Sequence, residues 1–469
     1  MKNFMVSILI GAILAGCSVH RSELPELPGP LPAEFIEAGG SREFNEPGRF
    51  WERFDDPDLN RLVTEALDGN LSIKQALARH DQFSALEKIS RANQLPFLNL
   101  VGSAGYDRQV SGIAKVEGSS LRLSAAAGYE IDLWNKLASG REQASYNRRA
   151  SAAEIKTAYI GVASQVTDLY FLLIEQRAQL ALSDRIIASQ EDTLARLESR
   201  YEAGLVQPLD VYQARQNILA ARADKPRYRA NLANGGHALA TLLGRFPAKG
   251  LGGDKAKLLQ IPDETLPGIP SELIARRPDI QAAFLRLQAR DAEVAAAVAE
   301  RFPSFNLTAV LGAGRLDYAT VISDTFWSLM LEAVQPIFDN GRRRAEIERR
   351  KDVVEEALAG YHQTILAAVQ EVEDRLAAYR TGLAQLRLLE ERYIVTGATL
   401  RLAEDQYFEG LTDYLSVLTA QVNHFNLQRQ LLSGRRQLIS DRIGLWRALG
   451  GDWMTEHINN RDANNGEIK

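Results

Sequence analysis

The feature that most constrains this chain is a heptad pattern of unusual length. From Ile155, alternating steps of four and three residues fall on Tyr159, Val162, Val166, Leu169, Leu173, Gln176, Leu180, Ser183, Ile187, Gln190, Leu194, Leu197 and Tyr201, and only three of these are polar. Apolar residues spaced in this way form the seam of a coiled coil. Helix from about 140 to 203 would be roughly 95 Å long, which no compact single-core domain accommodates.

The seam returns 206 residues later. Tyr159, Val166, Leu173, Leu180, Ile187, Leu194 and Tyr201 shift onto Ile365, Val372, Tyr379, Leu386, Tyr393, Leu400 and Tyr407, again all apolar. Just past each seam stands a glycine, in Tyr201-Glu202-Ala203-Gly204-Leu205 and in Tyr407-Phe408-Glu409-Gly410-Leu411. Glycine at that place supplies the left-handed cap on which long helices end. Helix is expected to resume over 210–243 and 413–449, so the chain reads as an internal duplication.

A period of two precedes each long helix. Leu121, Leu123, Ala125, Ala127, Tyr129, Ile131 and Leu133 alternate with Arg122, Ser124, Ala126, Gly128, Glu130 and Asp132, which predicts a strand. Further strands are expected at 97–106, 305–316 and 326–336. In the last, Trp327, Leu329, Leu331 and Ala333 face away from Ser328, Met330 and Glu332. Each run is close to the ~9–11 residues of a tilted membrane-crossing strand. Lipid satisfies no edge N–H or C=O, so such strands must close into a barrel of at least about eight. One chain supplies four. Side chains nearly fill an eight-stranded barrel, so an open lumen calls for a homotrimer of twelve strands rather than a dimer of eight.

Composition narrows the partners. With 55 Lys plus Arg against 60 Asp plus Glu and a net charge of −5, the chain lacks the basic footprint that nucleic acid requires. The single cysteine, Cys17, excludes an intramolecular disulfide framework, cysteine zinc sites and iron–sulfur ligation. It follows Lys2, the uncharged stretch 4–15 and Leu14-Ala15-Gly16, a leader too short to span a bilayer and read as a signal peptide. A free cysteine is otherwise a small buried hydrophobe, but the proline-rich 23–32 behind this one cannot enter a core helix. No later segment is expected to approach a transmembrane helix.

Catalytic patterns are weak. His20, His80, His237, His362, His424 and His457 show no His-Glu-x-x-His spacing. Gly312-x-Gly314 lacks the third glycine of a dinucleotide loop and reads as packing relief in a strand. Glu371, Glu373 and Asp374 read as the solvated face of a long helix. No enzymatic activity, cofactor or metal site is expected.

Four stretches carry a resemblance to a known family. They are Trp51-Glu52-Arg53-Phe54-Asp55-Asp56-Pro57-Asp58-Leu59 with the apolar positions that follow; 268–280, which includes Glu272, Arg276, Arg277, Pro278 and Asp279; the strand-to-helix junctions 131–136 and 335–342; and the two glycine turns. Together they resemble the outer membrane factor (TolC-like) family, in the lipoprotein branch that works with resistance-nodulation-division efflux systems. The resemblance implies an α+β membrane protein: a trimeric twelve-stranded outer-membrane barrel, four strands per chain, continued by a long periplasmic helical barrel. It divides the chain into a signal peptide (1–16), a lipid-anchored linker (17–60), a first repeat (61–243), an equatorial connection (244–270), a second repeat (271–449) and a tail (450–469). Cys17, in a box similar to that of bacterial lipoproteins, would carry covalent lipid. The implied function is a passive exit duct to which an inner-membrane pump delivers small molecules or drugs through a periplasmic adaptor. A protein-secretion channel is the alternative within the fold, and a surface-anchored coiled-coil scaffold without a pore is the alternative outside it.

Locally, Pro278 and Asp279 suit a first helical turn, which makes that motif structural. Arg342, Arg343 and Arg344 read as a membrane–water boundary rather than a nucleic-acid patch. The turns at Gly204 to Asp210 and Gly410 to Tyr414 follow helices leaving the strands. In the family, acidic residues beside the second turn line a closable constriction, which makes Asp413 the leading gate candidate; relatives place the carboxylate there or one position earlier, where Thr412 stands, and Gly410 and Tyr414 of the same turn complete the candidates. Three Asp413 carboxylates about 6 Å apart would repel by roughly 3 kcal/mol per pair. Asp413 is equally suited to cap the helix beginning at Tyr414.

Overall fold

The computed structural model describes residues 20, 29–30, 32–38, 48–111, 114–248, 250–259, 270–315 and 324–454. The leader, Cys17, the 268–269 start of the second motif and the tail beyond 454 lie outside them. After two short 3₁₀ turns, Ile36–Ala38 and Phe50–Phe54, come α1 (Pro57–Gly69), α2 (Leu71–Ala92), β1 (Phe97–Ser111), β2 (Ala114–Ile131), α3 (Lys136–Glu202) and α4 (Pro208–Leu242). The second half repeats the plan with α5 (Pro270–Arg276), α6 (Pro278–Ala299), β3 (Ser304–Arg315), β4 (Asp324–Val334), α7 (Arg342–Phe408) and α8 (Tyr414–Leu449).

The duplication holds to the residue in the long helices. Both α3 and α7 have 67 residues, and their starts differ by the same 206 positions as the seams. The first seam is the buried stripe of α3: Tyr159, Val166, Leu173 and Leu197 are sealed from solvent. Of its thirteen positions only Tyr201 is exposed. The second seam buries Ile365, Val372 and Tyr407 but leaves Tyr393 exposed. A stretch within α3 is, contrary to expectation, apolar and long enough to cross a membrane by composition. It is mostly buried, because a two-sided coiled-coil helix is as apolar as a membrane span along its inner faces.

The chain forms two compact units. The first holds 78–153 and 280–364 and contains one antiparallel sheet in the order β1-β2-β3-β4. β2 begins seven residues before the alternating pattern does, and β1 runs five past it. There, among the described residues, the two pair only with each other, from Asp107 opposite Gly118 to Ser111 opposite Ala114. The last strand stops at Val334 rather than 336, since Pro336 has no N–H to donate.

Register sorts the faces. Leu98, Ala127, Ala309 and Leu329 lie in one row, and Leu100, Ala125, Leu311 and Trp327 in the next. Leu98, Leu100, Leu311, Trp327 and Leu329 are all strongly exposed. The opposite face carries Asn99, Ser124, Thr308 and Ser328. It is less open than its small residues suggest: the Phe97 ring lies over Gly128 and the Phe326 ring over Gly312, each in the space a Cβ would take.

Junctions between strand and helix are capped locally. Asp132 accepts from the Ala138 N–H at 2.8 Å, and Asp339 from the backbone of Gly341 and Arg343. Trp134 stacks on Phe302 and donates to the Pro303 carbonyl. Arg343 and Arg344 pair with Asp339 and Glu348, so they form no one-signed patch.

The second unit holds 29–77, 154–279 and the chain from 365. Its core explains two motifs. Phe50 and Phe54 pack on Trp446, Trp51 on Trp453, and Phe54 on Phe171. Buried Asp56 caps α1 and accepts from Tyr170 (2.8 Å) and Lys255 (2.7 Å). Burial alone would raise its pKa, but the bonds from Lys255, Tyr170 and the α1 backbone outweigh that and hold the carboxyl below its ordinary value. Arg277 spans three elements, bonding Asp279 on α6, Glu371 on α7 and the Ala448 carbonyl on α8.

Candidate functional site at the helix turns

Both long helices end alike. Gly204 (φ +74°) and Gly410 (φ +80°) take the left-handed conformation. Leu205 N–H closes onto the Arg200 carbonyl at 2.9 Å and Leu411 N–H onto the Gln406 carbonyl at 2.8 Å. These are Schellman caps, which only glycine enters without steric cost.

The returning helices begin differently. α4 starts with Pro208 after Gln207, whose side chain makes no cap bond. Asp413 is the N-cap of α8 and accepts from Ser416 N–H (3.1 Å) and Ser416 Oγ (2.9 Å). Thr412 Oγ1 donates to the same Ser416 Oγ at 3.1 Å. Thus the capping role weighed for Asp413 is realised, with its carboxylate exposed beside the turn.

Folding brings the two turns together. Tyr407 and Tyr414, their centroids 5.5 Å apart, share a core with Leu197, Val211, Ala214 and Val417. Asp210, in the first turn of α4, accepts from the Tyr407 hydroxyl at 3.2 Å. Arg200 donates to the Phe408 carbonyl at 3.2 Å and lies over the Phe408 and Tyr407 rings. Burial, reinforced by the Asp210 charge, pushes both phenols up to about 12.

Gly204, Asp210, Gly410, Thr412, Asp413 and Tyr414 therefore belong to one end of one unit, whereas Cys17 lies outside the described residues. Sequence reasoning did not single out Arg200 and Ser416 and had Tyr407 only as a seam residue. A tyrosine in an apolar seam signals a buried hydroxyl in need of an acceptor, but its partner lies in the other repeat. The cluster offers no nucleophile–base pair. It can hold two helical hairpins together, and it must be broken if they separate.

The model of the family described as outer membrane efflux protein matches residues 62–245 and again 269–451. The chain belongs to that family. The double match is the duplication seen in the seams. Among relatives, the toluene efflux pump outer membrane protein TtgF of Pseudomonas putida is 32% identical over 97% of this chain and 98% of its own length. Outer membrane protein OprJ of Pseudomonas aeruginosa is 32% identical over 95% of each. Of solved structures, the outer-membrane channel OprN superposes with a TM-score of 0.87 at 27% identity, covering 93% of this chain and all of that one. The open state of the Neisseria gonorrhoeae MtrE outer membrane channel gives 0.82 at 26%, covering 92% and 97%. The fold is thus the α+β outer-membrane channel fold of this family, and the chain is an outer-membrane efflux channel component.

Proposed function

We propose that three copies close a twelve-stranded barrel and form the passive exit duct of a tripartite efflux system, fed by a periplasmic adaptor and a resistance-nodulation-division pump. The observation that carries this reading is the sheet: four strands with free edges at β1 and β4 and an exposed apolar face. β1 and β4 run antiparallel, so β4 of one copy can continue the ladder with β1 of the next, and closure alone satisfies such edges in lipid. The cargo is small molecules, in keeping with relatives named for toluene efflux, and the duct performs no chemistry on it. Cys17 bears the lipid that helps anchor each copy. The turn cluster is the periplasmic gate, with Asp413 and its neighbour Thr412 beside the constriction.

Native mass spectrometry in detergent should give the mass of three chains; two chains would refute the closure. Peptide mapping of the mature protein should begin at a lipid-modified Cys17. Recovery of an unmodified cysteine still attached to residues 1–16 would remove the anchor from the scheme.

A further inference from the structure

The polar face of the sheet carries an uneven set of charges. By register, its charged positions among the described strand residues are Asp107, Arg122, Glu130, Asp324 and Glu332, so Arg122 is the one strand cation among them, while Glu130 is paired with Lys136 at the start of α3. Arg122 stands opposite Ser103 and Gly314, near the end of the four-stranded region away from the helices. Its guanidinium lies over the Phe326 ring, 5.9 Å from the centroid. Phe326 is itself seated over Gly312, and a Cβ at 312 would meet both that ring and the Ser124 side chain, so only glycine there leaves the ring its place. Glycine, phenylalanine and arginine thus form a stack that lays the cation along the sheet surface.

The geometry points to Arg122 as the residue that sets the charge preference of the barrel lumen, with Phe326 as the seat that keeps it against the wall. The inference rests on the barrel reading above, in which this face lines the pore. Twelve strands tilted about 40° leave roughly 24 Å between opposite backbones. Three arginines extended radially would obstruct much of that span, whereas arginines laid on phenylalanine keep the charge and leave the passage open. Arg122 offsets part of an otherwise acidic lining and eases the transit of anionic solutes at the outer end. Cation–π attraction is modest where water reaches it, so the seat biases the side chain rather than freezing it.

The test is reversal potential in planar bilayers under a KCl gradient, with the full-length protein. Arg122→Gln should raise the cation-to-anion permeability ratio about twofold at 0.1 M salt and further at 0.01 M, where screening is weaker. Arg122→Lys should keep the wild-type ratio. Phe326→Leu should keep the ratio but lower single-channel conductance, because the released guanidinium reaches into the lumen. A wild-type ratio for Arg122→Gln at both salt concentrations overturns the inference. Should that variant not assemble, unchanged conductance in Phe326→Leu overturns it instead. Absence of any conductance steps in the wild type is a different result, which sinks the channel reading itself.

Discussion

Asp413 shows how one side chain can carry two roles that separate experimentally. Asn accepts the Ser416 N–H about as well as Asp, while Ala leaves that donor without its cap at a cost of about 1 kcal/mol. Asp413→Asn should therefore leave thermal stability near wild type, and Asp413→Ala should lower it. If the charge gates, the Asn variant will also change conductance or cation selectivity; wild-type conductance in Asn with instability only in Ala would leave Asp413 as a cap alone. The tyrosines beside it predict an alkaline limit. With pKa raised from 10 to about 12 in the fold, Tyr407 and Tyr414 contribute stability that is complete below pH 10 and lost as pH climbs toward 12, about 2–3 kcal/mol each. Tyrosinate absorbance and unfolding should rise together in that window, and titration of both phenols at pH 10 in the folded protein would contradict the packing.

Periodicity made the long elements legible, because a seam of thirteen positions leaves little freedom in how a helix can turn. The same reasoning stopped where repeats diverge. Tyr201 and Tyr407 occupy equivalent seam positions, yet one is 46% exposed and the other 7%. Asp413 caps α8, while its counterpart Gln207 makes no side-chain cap bond. A pattern that treats repeats as copies cannot register such asymmetry, nor the Tyr407–Asp210 bond that crosses between them. In the strands, alternation identified both faces but not the aromatic rings over Gly128 and Gly312, because cross-strand register depends on where a hairpin turns. The extension of β1 and β2 beyond the four-stranded region, where Asp107 to Ser111 pair with Gly118 to Ala114, was missed because the strand pattern was followed only from Leu121 onward in β2 and to Tyr106 in β1.

The whole chain assembles these parts by repetition rather than by one core, and its two units divide the labour. Strands with an exposed apolar face belong to the first. The aromatic cluster around Trp446, the Arg277 bridge and the turn cluster belong to the second. The two motifs of the second unit were visible in the sequence as the stretches 51–59 and 268–280. Their purpose emerged only when Asp56 was found holding Tyr170 and Lys255, and Arg277 holding three helices. The equal length of α3 and α7 has a further consequence: the helices work as a pair of matched rulers. Cutting one heptad from α3 and its return α4 draws Asp210 back by about 10 Å, out of reach of Tyr407, whereas cutting one heptad from all four helices shifts both turns together. The paired shortening should retain cooperative melting and the elevated tyrosine titration, and the one-sided shortening should lose both. Selection on such a chain would tolerate changes in span only in register, so insertions should be inherited as couples.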